Sequence, residues 1–240
     1  GAYARDGFSG HGGSNQTYKY VKVHGMALRA FNVGDVTNLT LDHVDMDGNH
    51  YGGWDGDVSP IGASTSLVDG TITLTHVNVR FNGCAEAYPP SASFDHDDYD
   101  DCTDQNDSGY GDGFGFLEVD GTFLMDNSNV SWNSSDGLDL LYEAFDTVKI
   151  DKSRFEGNIG NQVKVLTTNL DFTNNVSIAN CEYHDITNKI HNTGSFVTCR
   201  ANGSFVVVPM AGGVYRFYNN TIVSATHTGG SAAIEGANTN

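Results

Sequence analysis

The sequence predicts an all-β chain wound as a parallel solenoid whose shortest coils run to about 25 residues, with long loop insertions between others. Three observations carry that prediction. An apolar, any residue, apolar pattern recurs six times, each time with a further apolar position five residues on. In four of those copies an asparagine follows the further position by three residues. Finally, 29 Gly and abundant Asn, Ser and Thr, with only 4 Pro, describe short strands joined by tight turns, and no helical apolar period runs anywhere.

In chain order, Leu39 and Leu41 lead to Met46, Ile72 and Leu74 to Val79, and Phe123 and Met125 to Val130. Val148 and Ile150 then lead to Phe155, Val176 and Ile178 to Tyr183, and Tyr215 and Phe217 to Ile222. Successive copies lie 25 to 51 residues apart, so the excess over the shortest coil sits in loops. Strand alternation turns each pair inward and its neighbours outward. Asn49, Asn82, Asn133 and Asn158 then fall at one turn of successive coils, where stacked amides hydrogen-bond along the axis. Short strands stacked about 4.8 Å apart satisfy one another's backbone groups.

Length and charge narrow the class. A chain of 240 residues suits one continuous domain, 1–240. With 38% hydrophobic and 18% charged residues it is neither a charge-driven disordered chain nor, lacking any run of about 18 apolar residues, one that inserts in a membrane as a helix. Lys and Arg total 12 against 30 Asp and Glu, a net charge of -18, which argues against nucleic acid and anionic lipid and for cations as small partners. The chain opens without Met or a signal-like apolar segment, as a processed form or a piece of a longer precursor would.

The phrases LTLDHVDMDGN, ITLTHVNVRFNG, VKIDKSRFEGN and YRFYNNTIVS resemble coils of right-handed parallel β-helix proteins of the pectate-lyase-like superfamily, over about residues 36–225. The resemblance implies a right-handed parallel β-helix. It does not imply one activity, since that superfamily holds lyases, hydrolases, tailspikes and adhesins.

Cysteines and sequons point to the cell exterior. Cys84 with Cys102, and Cys181 with Cys199, form two local pairs without metal-type CxxC spacing. Oxidised, each closes a loop of about 18 residues, worth about 3 kcal/mol in the chain-entropy model, and implies an oxidising compartment. Asn-x-Ser/Thr occurs at Asn15, Asn38, Asn106, Asn129, Asn133, Asn175, Asn202 and Asn219. Glycans are expected at all of these except Asn133, which the asparagine column buries. Asn38, Asn129 and Asn175 are expected to face outward.

Two segments could carry chemistry. Residues 84–112 form an acidic insertion stapled by Cys84 and Cys102, with Asp95, Asp97, Asp98, Asp100, Asp101, Asp104, Asp107 and Asp112 close together. Within it Asp104, Asn106, Ser108, Gly109 and Asp112 match five positions of an EF-hand-type loop, so they are candidate Ca2+ ligands. The twelfth position is Gly115 rather than Glu, and the plain alternative is a solvated acidic loop.

The second segment is a stack: GDGFGF from Gly111, SDGLDL from Ser135 and GNQVKV from Gly160. Aligned, Gly115, Asp139 and Lys164 form one outward column, with Asp112, Asp136 and Asn161 at its edge. This is similar to family-nine pectate lyases, and the resemblance implies Asp136 and Asp139 as calcium ligands and Lys164 as the base that removes the proton beside a uronate carboxylate. The departures are Ser135 for a second Asp, Gln162 for a Gly, and no nearby Arg. The plain alternative is a cross-strand ion pair. Tyr51, Trp54, Tyr99, Tyr110 and Trp132 could stack on sugars or cover loop bases, and Trp132 is expected to mark a corner.

Neither end reads as a polar cap, so the expectation is either a piece of a longer solenoid or ends that each pack on a neighbour, and heterologous end contacts of the second kind build open filaments. The expectation is therefore an extracellular glycoprotein used as a cell-surface or filament-forming structural protein, its partners being glycans and copies of itself end to end. A calcium-dependent polyuronate lyase or carbohydrate-binding β-helix is the alternative.

Overall fold

The computed structural model describes residues 4–49, 51–55, 67–83, 112–116, 118–133, 135–158, 160–178, 204–223 and 234–236. Within them the chain is all-β, and its 17 strands join one parallel, hydrogen-bonded network with no helix. The strands stack in three rows, as in a solenoid.

The first row runs through β1 (Asp6–His11), β3 (Arg29–Gly34), β5 (Gly52–Asp55), β8 (Phe114–Gly115), the beginnings of β11 (Leu138–Asp151), β13 (Val163–Thr173) and β15 (Phe205–Tyr218), and β17 (Ile234–Gly236). The second runs through β2 (Ser14–His24), β4 (Val36–Asp47), β6 (Val68–Thr75), β9 (Thr122–Asp126) and the later parts of β11, β13 and β15. The third takes the ends of β2 and β4, then β7 (Asn78–Arg80), β10 (Asn129–Ser131), β12 (Arg154–Glu156), β14 (Val176–Ile178) and β16 (Thr221–Val223).

The second row carries the expected apolar column. Leu41, Leu74, Met125 and Ile150 are consecutive pairing partners, and all are buried. The row continues through Leu170 and Phe172, also fully buried. That corrects one expected copy. Val176 and Ile178 are not the leading pair, because Ser177 between them is the buried residue, five positions after Phe172. A serine at the third inward position hid this coil from an apolar pattern. Its hydroxyl is satisfied by the Ser204 hydroxyl at 2.6 Å. One earlier rung was missed for the same reason: Gln16, Tyr18 and Val23 pair with Leu39, Leu41 and Met46, and Gln16 is polar. The shortest step between paired rungs is consequently 22 residues, not about 25.

A corner rule explains the constant five-residue offset. Two residues after the second inward position of each pair the backbone turns left-handed, at Tyr20, His43, His76, Asn127, Lys152, Asn174 and Asn219, with φ between 47° and 56°. Two residues after the third-row inward position it does so again, at Gly25, Gly48, Phe81, Trp132 and Gly157. Each such residue bends the strand and is followed by one whose side chain returns to the interior. At the second corner these are Asn49, Asn82, Asn133 and Asn158, whose amides run rung to rung at 2.8, 3.0 and 2.9 Å. Gln162 closes the column, its Oε1 accepting from Asn158 Nδ2 at 2.8 Å. Gly113 and Gly137 pack against this column so closely that a Cβ would lie 2.6 and 2.5 Å from the amide nitrogens of Asn133 and Asn158. These glycines are required by contact, not by turn geometry.

Candidate functional site

The stack formed by β8, β11 and β13 has the expected register. Asp139 pairs with Gly115 on one side and Lys164 on the other. Leu138, Val163 and Phe114 point inward and are fully buried, which turns Asp139 and Lys164 outward. Asp112 joins from the preceding rung, its Oδ1 accepting the Asp136 backbone N–H at 3.1 Å, and Asp136 Oδ1 in turn accepts the Asn161 N–H at 2.6 Å. Carboxylate oxygens of Asp112, Asp136 and Asp139 lie within 4.8 Å of one another.

Lys164 reaches into this group. Its Nζ lies 2.5 Å from Asp136 Oδ2 and 2.8 Å from Asp139 Oδ2, with the lysine side chain 25% exposed and that of Asp139 3% exposed. Burial pushes Asp139 up to about 6, the Asp136 charge adds to the rise, and Lys164 pulls against it. Burial alone would lower the Lys164 ammonium, but Asp136, Asp139 and Asp112 together outweigh it and hold the group above its ordinary value. A general base for proton abstraction needs the opposite tuning, an amine whose pKa falls toward the working pH. As arranged, the lysine is the counter-ion of a carboxylate cluster.

The calcium implied by the lyase resemblance has a donor set that suits it, three buried carboxylates at cation-binding separation. Asp112, Asp136 and Asp139 would hold it, in competition with the ammonium. Gln162, which stands where the lyase pattern has Gly, has a structural duty as the end of the amide column.

Other predicted positions divide plainly. Cys84, Cys102, Cys181, Cys199, Asp104, Asn106, Ser108 and Asn202 lie outside the described residues, as do Tyr99 and Tyr110. Asp112 is described, and it turns to Asp136 in the polar stack. Trp54 is not a sugar platform: it is 1% exposed and stacks on Phe31 at 5.5 Å in the core. Tyr51 sits beneath the Arg29 guanidinium, and Trp132 takes its expected corner, stacked on Phe81 at 4.9 Å.

Asn15 and Asn219 are exposed, and Asn38 and Asn129 are partly exposed. Asn38 is tied to the surface through Asn15 Oδ1 at 3.1 Å and the Thr71 N–H at 2.9 Å. Asn175 corrects the expectation of an outward side chain, being 1% exposed. It sits three residues after Phe172, at the interior position of the first corner. There its Oδ1 accepts the Ser153 N–H at 2.7 Å and its Nδ2 donates to the Ile150 carbonyl at 2.9 Å. Asn133 is buried in the amide column as expected.

Sequence reasoning missed an outer cluster of Asp42, His43 and His76. The two histidines are 33 residues apart in the chain, and only the register Leu41↔Leu74 makes them neighbours. The shared "second inward residue plus two" position was the available signal.

No protein-family model matches the chain, and no curated protein or solved structure matches it.

Proposed function

We propose that this chain is an extracellular, N-glycosylated right-handed β-helix that serves as a structural cell-surface or filament-forming protein, with copies packing end to end. The observation that carries the reading is the state of Lys164. The residue with a lyase-like position is clamped between Asp136 and Asp139 and held in its charged form, so it reinforces the stack instead of taking a proton from a substrate. Further ion pairs join rungs outside: Lys19 with Asp42, Lys22 and Arg80 with Asp47, and Arg216 with Asp171.

Exposed apolar side chains support self-association. Of the seven large ones that are exposed among the described residues, Met210, Val214, Tyr218, Val223 and Ile234 belong to the last strands and Tyr20 to the first complete rung. Parallel strands share one polarity, so a second copy can continue the register, and such head-to-tail contacts propagate. Sedimentation velocity and electron microscopy across a concentration series are expected to give linear polymers that Ile222→Lys with Ile234→Lys abolishes, since both occupy inward positions on the last strands. A wild-type chain that stays monomeric at every concentration overturns the filament reading. Glycopeptide mass spectrometry of secreted protein is expected to find sugar at Asn15, Asn38, Asn129 or Asn219 and none at Asn133 or Asn175. All sites bare removes the glycoprotein reading.

The three converging carboxylates favour one alternative, a calcium-dependent polyuronate lyase or carbohydrate-binding relative using Asp136, Asp139 and Lys164. An unsaturated uronate product formed with polygalacturonate or alginate plus calcium, and lost in Lys164→Ala, would replace the structural reading with this one.

A further inference from the structure

We propose that Asp42, His43 and His76 form a surface site for a divalent first-row transition metal, of which zinc is the working example. The three side chains each offer one ligand atom within 4.8 Å of the other two. The fold builds this deliberately similar pair of imidazoles. His43 and His76 occupy the same left-handed corner on adjacent rungs, with φ of 56° and 55°, so their side chains leave the backbone in the same direction one strand spacing apart. The rings overlie one another at 4.4 Å with 25° between their planes. Both are exposed, so an ion can reach them.

The donor chemistry is right for this class of ion. Two imidazole nitrogens and one carboxylate suit zinc, copper and nickel better than calcium or magnesium, which prefer all-oxygen shells. Asp42 is ionised, because the hydrogen bond from His43 and then that from Lys19 hold its carboxyl below the ordinary value. Its Oδ1 lies 2.7 Å from His43 Nδ1, while Oδ2 is held by Lys19 at 3.1 Å, which fixes the orientation of the first oxygen. Tetrahedral zinc with bonds of about 2.0–2.1 Å needs its ligands about 3.3 Å apart. The Asp42–His43 pair therefore opens by about half an ångström, and His76 closes by about 1.5 Å at most, both within side-chain rotation on an exposed corner.

On binding, the ion takes the place of the proton shared between His43 Nδ1 and Asp42 Oδ1. His43 then carries its ring proton on Nε2, His76 supplies the second nitrogen, and water completes the shell. No net proton is released from a neutral ring. Because the ligands come from β4 and from the corner that directly follows its neighbour β6, the ion also clamps two coils together, and a ligand that binds only the folded stack raises its stability.

The test is a pair of zinc titrations, by calorimetry, on the whole chain and on His43→Ala with His76→Ala. Other histidines respond equally in both proteins, so the difference reads this cluster alone. The wild type is expected to bind one more equivalent than the double variant. Asp42→Asn is expected to weaken that equivalent at least tenfold while both imidazoles remain. Zinc is also expected to raise the melting temperature of the wild type and to leave that of the double variant lower. Equal stoichiometry in the two proteins overturns the site, as does a melting shift of the same size in the double variant as in the wild type. Circular dichroism confirms that the exposed substitutions leave the β signal intact, so a null titration counts against the proposal.

Discussion

Lys164→Met is expected to lower the free energy of unfolding by about 3–5 kcal/mol at neutral pH, because it leaves the carboxylates of Asp112, Asp136 and Asp139 buried without their counter-charge. The pH profile distinguishes this cause from lost packing. Asp139 has a folded value of about 6 against an ordinary 3.8, so between those values the folded chain holds a proton that the unfolded chain has released. Its contribution to stability is thus fully favourable below 3.8 and declines as pH rises to about 6, by about 3 kcal/mol in all. Denaturant titrations from acid to neutral pH are expected to show that decline in the wild type, a steeper one in Lys164→Met, and none from this group in Asp139→Asn. A Lys164→Met protein equally weakened at every pH would mean that the side chain acts through its methylenes and not its charge.

Asn133→Ala is expected to cost about 3–5 kcal/mol and to broaden the unfolding transition. The Asn133 amide accepts from the Asn82 N–H at 3.1 Å and from Asn82 Nδ2 at 3.0 Å, and it donates to the Val79 carbonyl at 3.1 Å and to Asn158 Oδ1 at 2.9 Å. Truncation leaves buried partners unpaired, at about 1–3 kcal/mol each. Alanine also opens a void against Gly113, whose close approach depends on that amide. Rungs in a solenoid communicate only with their neighbours, so a break in the middle uncouples the two halves. A single sharp transition less than about 1 kcal/mol weaker would show that the amide column is incidental to the stack.

Much of the architecture was legible because a β-solenoid repeats a local demand. Every inward position of the second row meets the row above and below, so Leu41, Leu74, Met125 and Ile150 had to be apolar and could be aligned by eye. The same logic exposed the asparagine column, since a buried amide one rung from another needs the same residue in the same place. It failed where a polar group satisfied the interior by another route. Ser177 with Ser204, and Asn175 with Ser153 and the Ile150 carbonyl, fill positions that the apolar pattern could not recognise. Asn175 consequently looked like a surface sequon when it is a corner residue facing in.

The polar stack divides in the same way. That Asp139 and Lys164 share an outward column follows from alternation along two aligned phrases, and the structure pairs them. The lysine's tuning does not follow from alternation. It depends on how deeply the cluster is buried and on a third carboxylate, Asp112, arriving from another coil. Desolvation and summed charge are properties of a volume, and a linear pattern does not report them.

Sequence alone determined that this chain is β-structured, that it stacks in parallel, and which side chains form the amide column and most of the apolar one, because those requirements recur at fixed local offsets. Tertiary structure decided that Lys164 is a counter-ion, that Asn175 and Trp54 are interior, and that His43 and His76 touch. Each of these depends on which coil lands on which, and loops of unequal length leave that registration to the folded stack.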